Sequence, residues 1–357
     1  MKFNKLTKVS AFVLAAVACF GAQAANNGVS VSITPVKSVL QSHDDVLVNV
    51  KMTNNSGADQ LVLKSGTPFA STPDALFEVV RDGVAVDYVG RVTKRVAPTA
   101  SDYFVLKAGK SYSQTVELSA LYDMSATGNY SIRYNFASEH TFGSASSQGF
   151  AAASGAGELT SGNVSMWING HANAKVSPAP TLSATLAASL SYSGCSASRQ
   201  SLISSAFSGA KSYASGALSY LNAGTKGARY TTWFGVYDST RYSTVKSHYN
   251  NILNAYNSQP FVIDCSCTDS GTYAYVYPNQ PYKIYVCGAF WSAPATGTDS
   301  KAGTLVHETS HFTVLGGTAD NAYGQTAAKS LAKSSPAKAI MNADSHEYFA
   351  ENNPFQN

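Results

Sequence analysis

Gly303-Thr304-Leu305-Val306-His307-Glu308-Thr309-Ser310-His311-Phe312 places two histidines four residues apart, with a glutamate directly after the first. The stretch predicts a helix over 303–314, on which His307 and His311 share one face, one turn apart, where both imidazoles reach a single zinc ion. Glu308, beside the first ligand, is placed to act as general base on a water at that metal. The pattern H-E-x-x-H therefore describes a hydrolase site, most often that of a metalloprotease.

A catalytic zinc usually takes three protein ligands and leaves a position for water. A histidine six residues beyond His311 would fall on Gly317, and between Phe312 and Ala343 the only acidic residue is Asp320, with no cysteine or histidine in the interval. Gly316 and Gly317 end the predicted helix and turn the chain back toward the metal. Asp beside Gly ordinarily makes a local turn bond. With no other group able to close the site locally, Asp320 is expected to be the third ligand.

H-E-x-x-H followed by G-T-x-D-x-x-Y-G resembles the signature of the deuterolysin family, the aspzincins. Both halves are intact, as 307–311 and as Gly317-Thr318-Ala319-Asp320-Asn321-Ala322-Tyr323-Gly324. The resemblance implies zinc on His307, His311 and Asp320, with Tyr323 hydrogen-bonding the oxyanion. Tyr192–Cys195, Arg229–Gly235, Ala274–Pro278, Cys287–Trp291 and Asn342–Asp344 further resemble the peptidyl-Lys metalloendopeptidases of that family.

Outward from this centre, the 357 residues allow two domains of ordinary size. Only 13% are charged and the net charge is +4, too small and dispersed to argue for nucleic acid or an anionic membrane. Residues 1–24 read as a secretory signal: Lys2, Lys5 and Lys8, then an apolar run from Ala11 to Phe20, then Ala22-Gln23-Ala24. That run is too short for a membrane span. The chain is expected to be secreted and monomeric.

Without the signal, four cysteines remain: Cys195, Cys265, Cys267 and Cys287. An even number in an exported chain predicts two disulfides, and the C-x-C spacing of Cys265 and Cys267 makes a bond between these two strained. Three connectivities are open from sequence. The resemblance implies Cys195–Cys265 and Cys267–Cys287.

Residues 25–175 alternate as strands do, at Val29–Thr34, Val46–Met52, Phe77–Val80 and Tyr130–Tyr134. An all-β, immunoglobulin-like sandwich is expected, with a long loop over Gly143–Gly157. Residues 176–190 read as a linker with two prolines. Residues 191–357 predict a helix-dominated, zincin-like α+β domain, with helices over Ser198–Leu221 and Ser243–Tyr256 and strands over Tyr273–Tyr277 and Lys283–Val286. The resemblance makes the first half a propeptide, removed near Leu190–Ser191, that serves as intramolecular inhibitor or chaperone.

Asp344 and Glu347 admit two readings. As N-cap and capping-box residue they would start a helix over Ser345–Asn352. As a pair at the bottom of a partly desolvated pocket they would bind a lysine ammonium. The lysine-directed branch carries acids in this arrangement, so the expected function is a zinc endopeptidase, made as a zymogen, that cleaves on the amino side of lysine. The alternatives are a deuterolysin-like protease of other specificity and an exported binding module with structural zinc. Structural zinc usually takes four protein ligands, and only three converge here.

Overall fold

The computed structural model describes residues 26–37, 40, 44–146, 149–152, 157–170 and 188–357. The expected signal peptide and residues 176–187 of the expected linker lie outside them.

The N-terminal half is β-rich, built by the alternation its sequence carries. In β1 (Val29–Pro35), Val29, Val31 and Ile33 are buried while Ser30 and Ser32 face solvent. β1 pairs with β2 (Leu47–Asn54), which pairs with β8 (Ser111–Glu117). A second sheet runs β11 (Gly149–Ala152), β10 (Phe142–Ser146), β3 (Gln60–Leu63) and β7 (Tyr103–Leu106). The third runs β12 (Gly157–Thr160), β9 (Gly128–Ser138), β4 (Phe77–Arg81) and β5 (Val84–Ala85), with β13 (Val164–Ile168) also on β9. All three sheets contribute to one apolar core. The loop expected over Gly143–Gly157 is corrected for its described residues, because β10 and β11 pair antiparallel there; residues 147–148 and 153–156 lie outside them. Its Ser/Gly/Ala composition hides the pairing, since the backbone ladder needs no apolar side chains.

One strand leaves this half. β6 (Val92–Arg95) joins the sheet of the C-terminal half, whose order is β14 (Ser189–Ser193), β15 (Pro260–Asp264), β17 (Lys283–Val286), β16 (Thr272–Val276), β6. β14, β15 and β17 are mutually parallel; β16 is antiparallel to β17, and β6 antiparallel to β16. Without β6, β16 would be the edge of the sheet.

Eight helices among the described residues accompany the sheet, α4 and α5 packing against its strands: α1 (Ala197–Asn222), α2 (Ala228–Phe234), α3 (Ser239–Ser258), α4 (Gly288–Ser292), α5 (Lys301–His311), α6 (Gly324–Ser334), α7 (Pro336–Ala339) and α8 (Ala343–Glu351). α1 buries Ile203, Ala206, Ala210, Ala214, Ala217 and Leu221, while Leu202 is exposed. The alanine stripe admits α5 closely: a methyl at Gly209 would lie 2.9 Å from Ala302 Cβ. α8 is held by the buried Arg229 of α2, whose guanidinium donates to the carbonyls of Phe349 and Ala350 at 2.9 and 3.4 Å. A cation there also complements the negative end of the helix dipole. The disulfides are Cys195–Cys265 and Cys267–Cys287, the pairing the resemblance implied.

Candidate metal centre and substrate cleft

α5 starts at an N-cap on Ser300, whose hydroxyl accepts from Gly303 N, and every residue of it is buried. It ends at His311, three residues short of the expected Val314, because the chain folds back on itself at once. Gly316 N and Gly317 N bond to Phe312 O, Thr318 N bonds to Ser310 O, and Gly317 has φ of 57°. A methyl on Gly316 would sit 2.7 Å from the Ser310 carbonyl, so the reversal needs glycine there.

This reversal brings Asp320 to the histidines. Its Oδ1 lies 3.1 Å from His307 Nε2 and 3.4 Å from His311 Nε2. All three atoms are buried, and none completes a hydrogen bond. Three convergent buried ligand atoms, two imidazole nitrogens and a carboxylate oxygen, without protons directed between them suit a shared cation. His311 Nδ1 donates to Thr318 O at 2.8 Å, which fixes the tautomer and leaves Nε2 free to ligate. His307 Nδ1 lies 2.9 Å from Asp344 Oδ1 and 3.2 Å from Glu347 Oε2, close enough for either carboxylate to orient the ring electrostatically. Burial works to raise the Asp320 pKa, but His311 and His307 outweigh it and hold the group well below the usual carboxylate range.

Both carboxylate oxygens of Glu308 are buried without partners. Burial, opposed by His307 and His311, pushes its pKa up to about 7, where a carboxylate can both take and return a proton. Tyr323 stands at the end of the same loop. Asn342 Oδ1 pins that loop by accepting from Asn321 N at 2.9 Å and Ala322 N at 3.0 Å. Burial and then Asp320 raise the Tyr323 pKa well above 10, so its hydroxyl remains a donor. That hydroxyl reaches Asp320 Oδ2 and the Thr93 carbonyl, each at 3.1 Å, and its one proton serves one of them at a time.

Asp344 and Glu347 do not form the N-cap and capping box of α8. α8 begins two residues earlier than the capping reading requires, with Asn342 as N-cap and no side-chain cap bond. The two acids instead face Lys94, whose Nζ lies 2.7 Å from Glu347 Oε2 and 3.4 Å from Asp344 Oδ1. Asp344 Oδ2 also accepts from Gly324 N at 2.6 Å. Burial alone would discharge Lys94; Asp344 and then Glu347 reverse this and keep it firmly charged. The α5 backbone passes very close to this pocket: a methyl on Gly303 would fall 2.0 Å from Glu351 Oε1 and 3.0 Å from Glu347 Oε1.

Residues 219–351 match the family model described as lysine-specific metallo-endopeptidase, an aspzincin model. The chain is 42% identical over 361 residues to the extracellular protease of Aeromonas hydrophila, covering 100% of both. The chain belongs to the aspzincin family. It is a metalloendopeptidase with a zincin-like catalytic half. This aspzincin is also 39% identical to the peptidyl-Lys metalloendopeptidase of Grifola frondosa, over 97% of this chain and 99% of that one. The peptidyl-Lys metalloendopeptidase of Pleurotus ostreatus is 58% identical, but over 46% of this chain and 97% of its own length.

Sequence reading missed four participants in the aspzincin cleft. Asp299 contributes a third carboxylate, 3.3 Å from Lys94 Nζ, and accepts from Tyr348 Oη at 2.8 Å. In sequence it reads only as part of the approach to the N-cap of α5. The rings of Tyr273 and Tyr348 flank the ammonium, with centroids 5.4 and 5.8 Å away. Lys94 itself carries no motif. Among the described residues, no helix is long and apolar enough to cross a membrane.

Proposed function

We propose that this aspzincin is a secreted zinc endopeptidase, made as a zymogen, that hydrolyses the peptide bond on the amino side of lysine. One observation carries the specificity: a buried lysine ammonium held 2.7 Å from Glu347 and 3.4 Å from Asp344, on the residue directly after a carbonyl that Tyr323 hydrogen-bonds. Secretion is supported by the signal-like residues 1–24 and by the printed name of the Aeromonas hydrophila relative. The zymogen reading is supported by the Pleurotus ostreatus enzyme, which corresponds to less than half of this chain. In this reading the β-rich half is an immunoglobulin-like sandwich prodomain, released near Leu190–Ser191.

His307, His311 and Asp320 hold the zinc, which when bound supplies Lewis acidity and a water of lowered pKa. Glu308 takes the proton of the attacking water and passes it to the leaving nitrogen. Tyr323 donates to the carbonyl oxygen as negative charge develops there. Asp344 and Glu347 bind the lysine ammonium as a point charge in a water-poor pocket, and a neutral side chain would leave the two acids facing each other uncompensated.

The test is to activate the full chain, digest a denatured protein and sequence every new terminus, beside a chelated control. Termini beginning almost entirely with lysine, absent under chelation and restored by zinc, are expected. Scattered termini would remove the lysine assignment and leave the endopeptidase.

A further inference from the structure

β6 is more than an extra strand on the catalytic sheet. It adds antiparallel to β16 with Thr93 opposite Tyr275 and Lys94 opposite Ala274, the way an extended peptide is captured on a sheet edge. Three independent contacts then fix one peptide bond. The ladder sets the strand's register, the acids hold the Lys94 ammonium, and Tyr323 holds the Thr93 carbonyl at 3.1 Å. Lys94 is therefore the residue after the bond whose carbonyl faces the oxyanion donor.

We propose that Thr93–Lys94 is the chain's own first substrate: intact, the bond blocks the lysine pocket, and its hydrolysis within the same molecule opens the cleft. This rests on the lysine-directed reading above and adds which bond is cut first, and by which copy.

The flanks support it. Arg91 stacks over Tyr275, its guanidinium 3.7 Å from the ring centroid, and Arg95 pairs with Asp74 at 3.3 Å and donates to Thr72 O at 2.8 Å. The bond is thus tethered on both sides. The Lys94 side chain is only 3% exposed, so an external lysine finds the pocket filled. Clefts of about 580 and 620 Å³ flank the strand, one reaching Lys94 and Asp344, the other Thr93, His311 and Asp320, and Tyr323 lines both.

In the reaction, water oxygen adds to the Thr93 carbonyl carbon and the Thr93–Lys94 C–N bond breaks. One water proton reaches the Lys94 nitrogen through Glu308 and the second follows as the new acid ionises, leaving a carboxylate on Thr93 and an ammonium at the Lys94 N-terminus. Val92–Thr93 and Lys94–Arg95 are then two-residue ends, too short to hold a ladder, and the new carboxylate lies beside Tyr323, whose hydroxyl also reaches Asp320 Oδ2 at 3.1 Å.

The experiment uses the full chain, prepared metal-free and then given zinc at several protein concentrations, with intact-mass and N-terminal sequencing over time. A fragment beginning Lys94-Arg95-Val96 is expected, formed with a half-life independent of protein concentration and absent with chelator. Full-length Lys94→Ala should lack that fragment. It should cleave an added Xaa-Lys peptide without lag, roughly ten- to a hundredfold faster at first than uncut wild type, as loss of one charged, hydrogen-bonded blocker implies.

If wild type cleaves the added peptide before lysine yet never gains the Lys94 terminus, the proposal is overturned and the lysine reading stands. A Lys94 terminus forming faster at higher protein concentration overturns the intramolecular step. Indifference of the activated enzyme to lysine in added peptides overturns the lysine reading itself. Should Lys94→Ala fail to fold, the wild-type terminus and its concentration dependence still decide.

Discussion

His307 and Lys94 share the same two carboxylates: Asp344 Oδ1 lies 2.9 Å from His307 Nδ1 and 3.4 Å from Lys94 Nζ, and Glu347 Oε2 lies 3.2 and 2.7 Å from them. The acids that hold Lys94 thus also sit against His307, one of the proposed metal ligands. In that reading, pocket occupancy and metal geometry are coupled through one pair of side chains.

The coupling separates the two acids by experiment. Asp344→Asn should weaken metal binding roughly 10- to 100-fold, as loss of an orienting partner does, besides weakening lysine selection. Glu347→Gln, whose shorter contact is to the ammonium, should lose lysine preference with a smaller effect on metal. Asp299→Asn, on the exposed rim, should cost least. Metal titration beside the cleavage profile of each activated variant checks the order, and equal metal affinities in all three would break the shared role.

Glu308→Gln should leave metal content near wild type and lower kcat by about 10²–10⁴, the span of a general base. Tyr323→Phe should lower kcat by roughly 10²–10³ with KM little changed, as for removal of one oxyanion donor. Metal analysis and steady-state kinetics on a lysine peptide test both, and a Glu308→Gln enzyme with wild-type turnover would reject the base.

Gly303→Ala should destabilise the fold by about 1–3 kcal/mol, because the new methyl meets Glu351 Oε1 at 2.0 Å and Glu347 Oε1 at 3.0 Å. Glu351 cannot swing away freely, since it accepts from Ser300 N and Oγ at 2.9 and 2.7 Å. Denaturant unfolding of the inactive Glu308→Gln background, with and without the substitution, measures this without self-cleavage. An unchanged midpoint would show that α8 yields.

Acid should weaken the catalytic half through His248 and His346. His346 Nδ1 donates to Asn342 O at 2.9 Å, and its Nε2 lies 3.1 Å from His248 Nδ1. Burial lowers His248 to about 4; burial, then the neighbouring His248, lowers His346 to about 3. Both folded values lie below the unfolded value of about 6.5. Above pH ~6.5 neither state binds these protons; as pH falls toward 4 the unfolded chain takes them up first, so stability drops by up to roughly 1.4 kcal/mol per pH unit per histidine. Melting temperatures between pH 7 and 4 should show a shallower fall in His248→Gln than in the parent, and parallel curves would discount the pair.

Much of the centre was legible along the chain. His307, Glu308 and His311 follow from helical spacing, and Asp320 from being the only acid within reach of a chain reversed by Gly316 and Gly317. The predicted helix runs three residues past the end of α5 because the apolar Phe312 and Val314 extend the helical pattern, while the backbone bonds to Phe312 O that close the turn leave no trace in composition. Asp344 and Glu347 fit both a helix start and a pocket, and only their distances from Lys94 separate the two.

By itself, then, the sequence determined the catalytic helix, the candidate ligand set and the β-rich and helical halves, because each depends on local periodicity or on spacings of a few residues. Tertiary structure alone decided that Val92–Arg95 crosses to the catalytic sheet, that Asp299 joins the pocket, and that Lys94 lies against acids 250 and 253 positions away in the chain. An isolated lysine in a strand carries no periodic signal. Its role comes from the desolvated acids that meet it, and those are assembled only when two distant segments fold against each other.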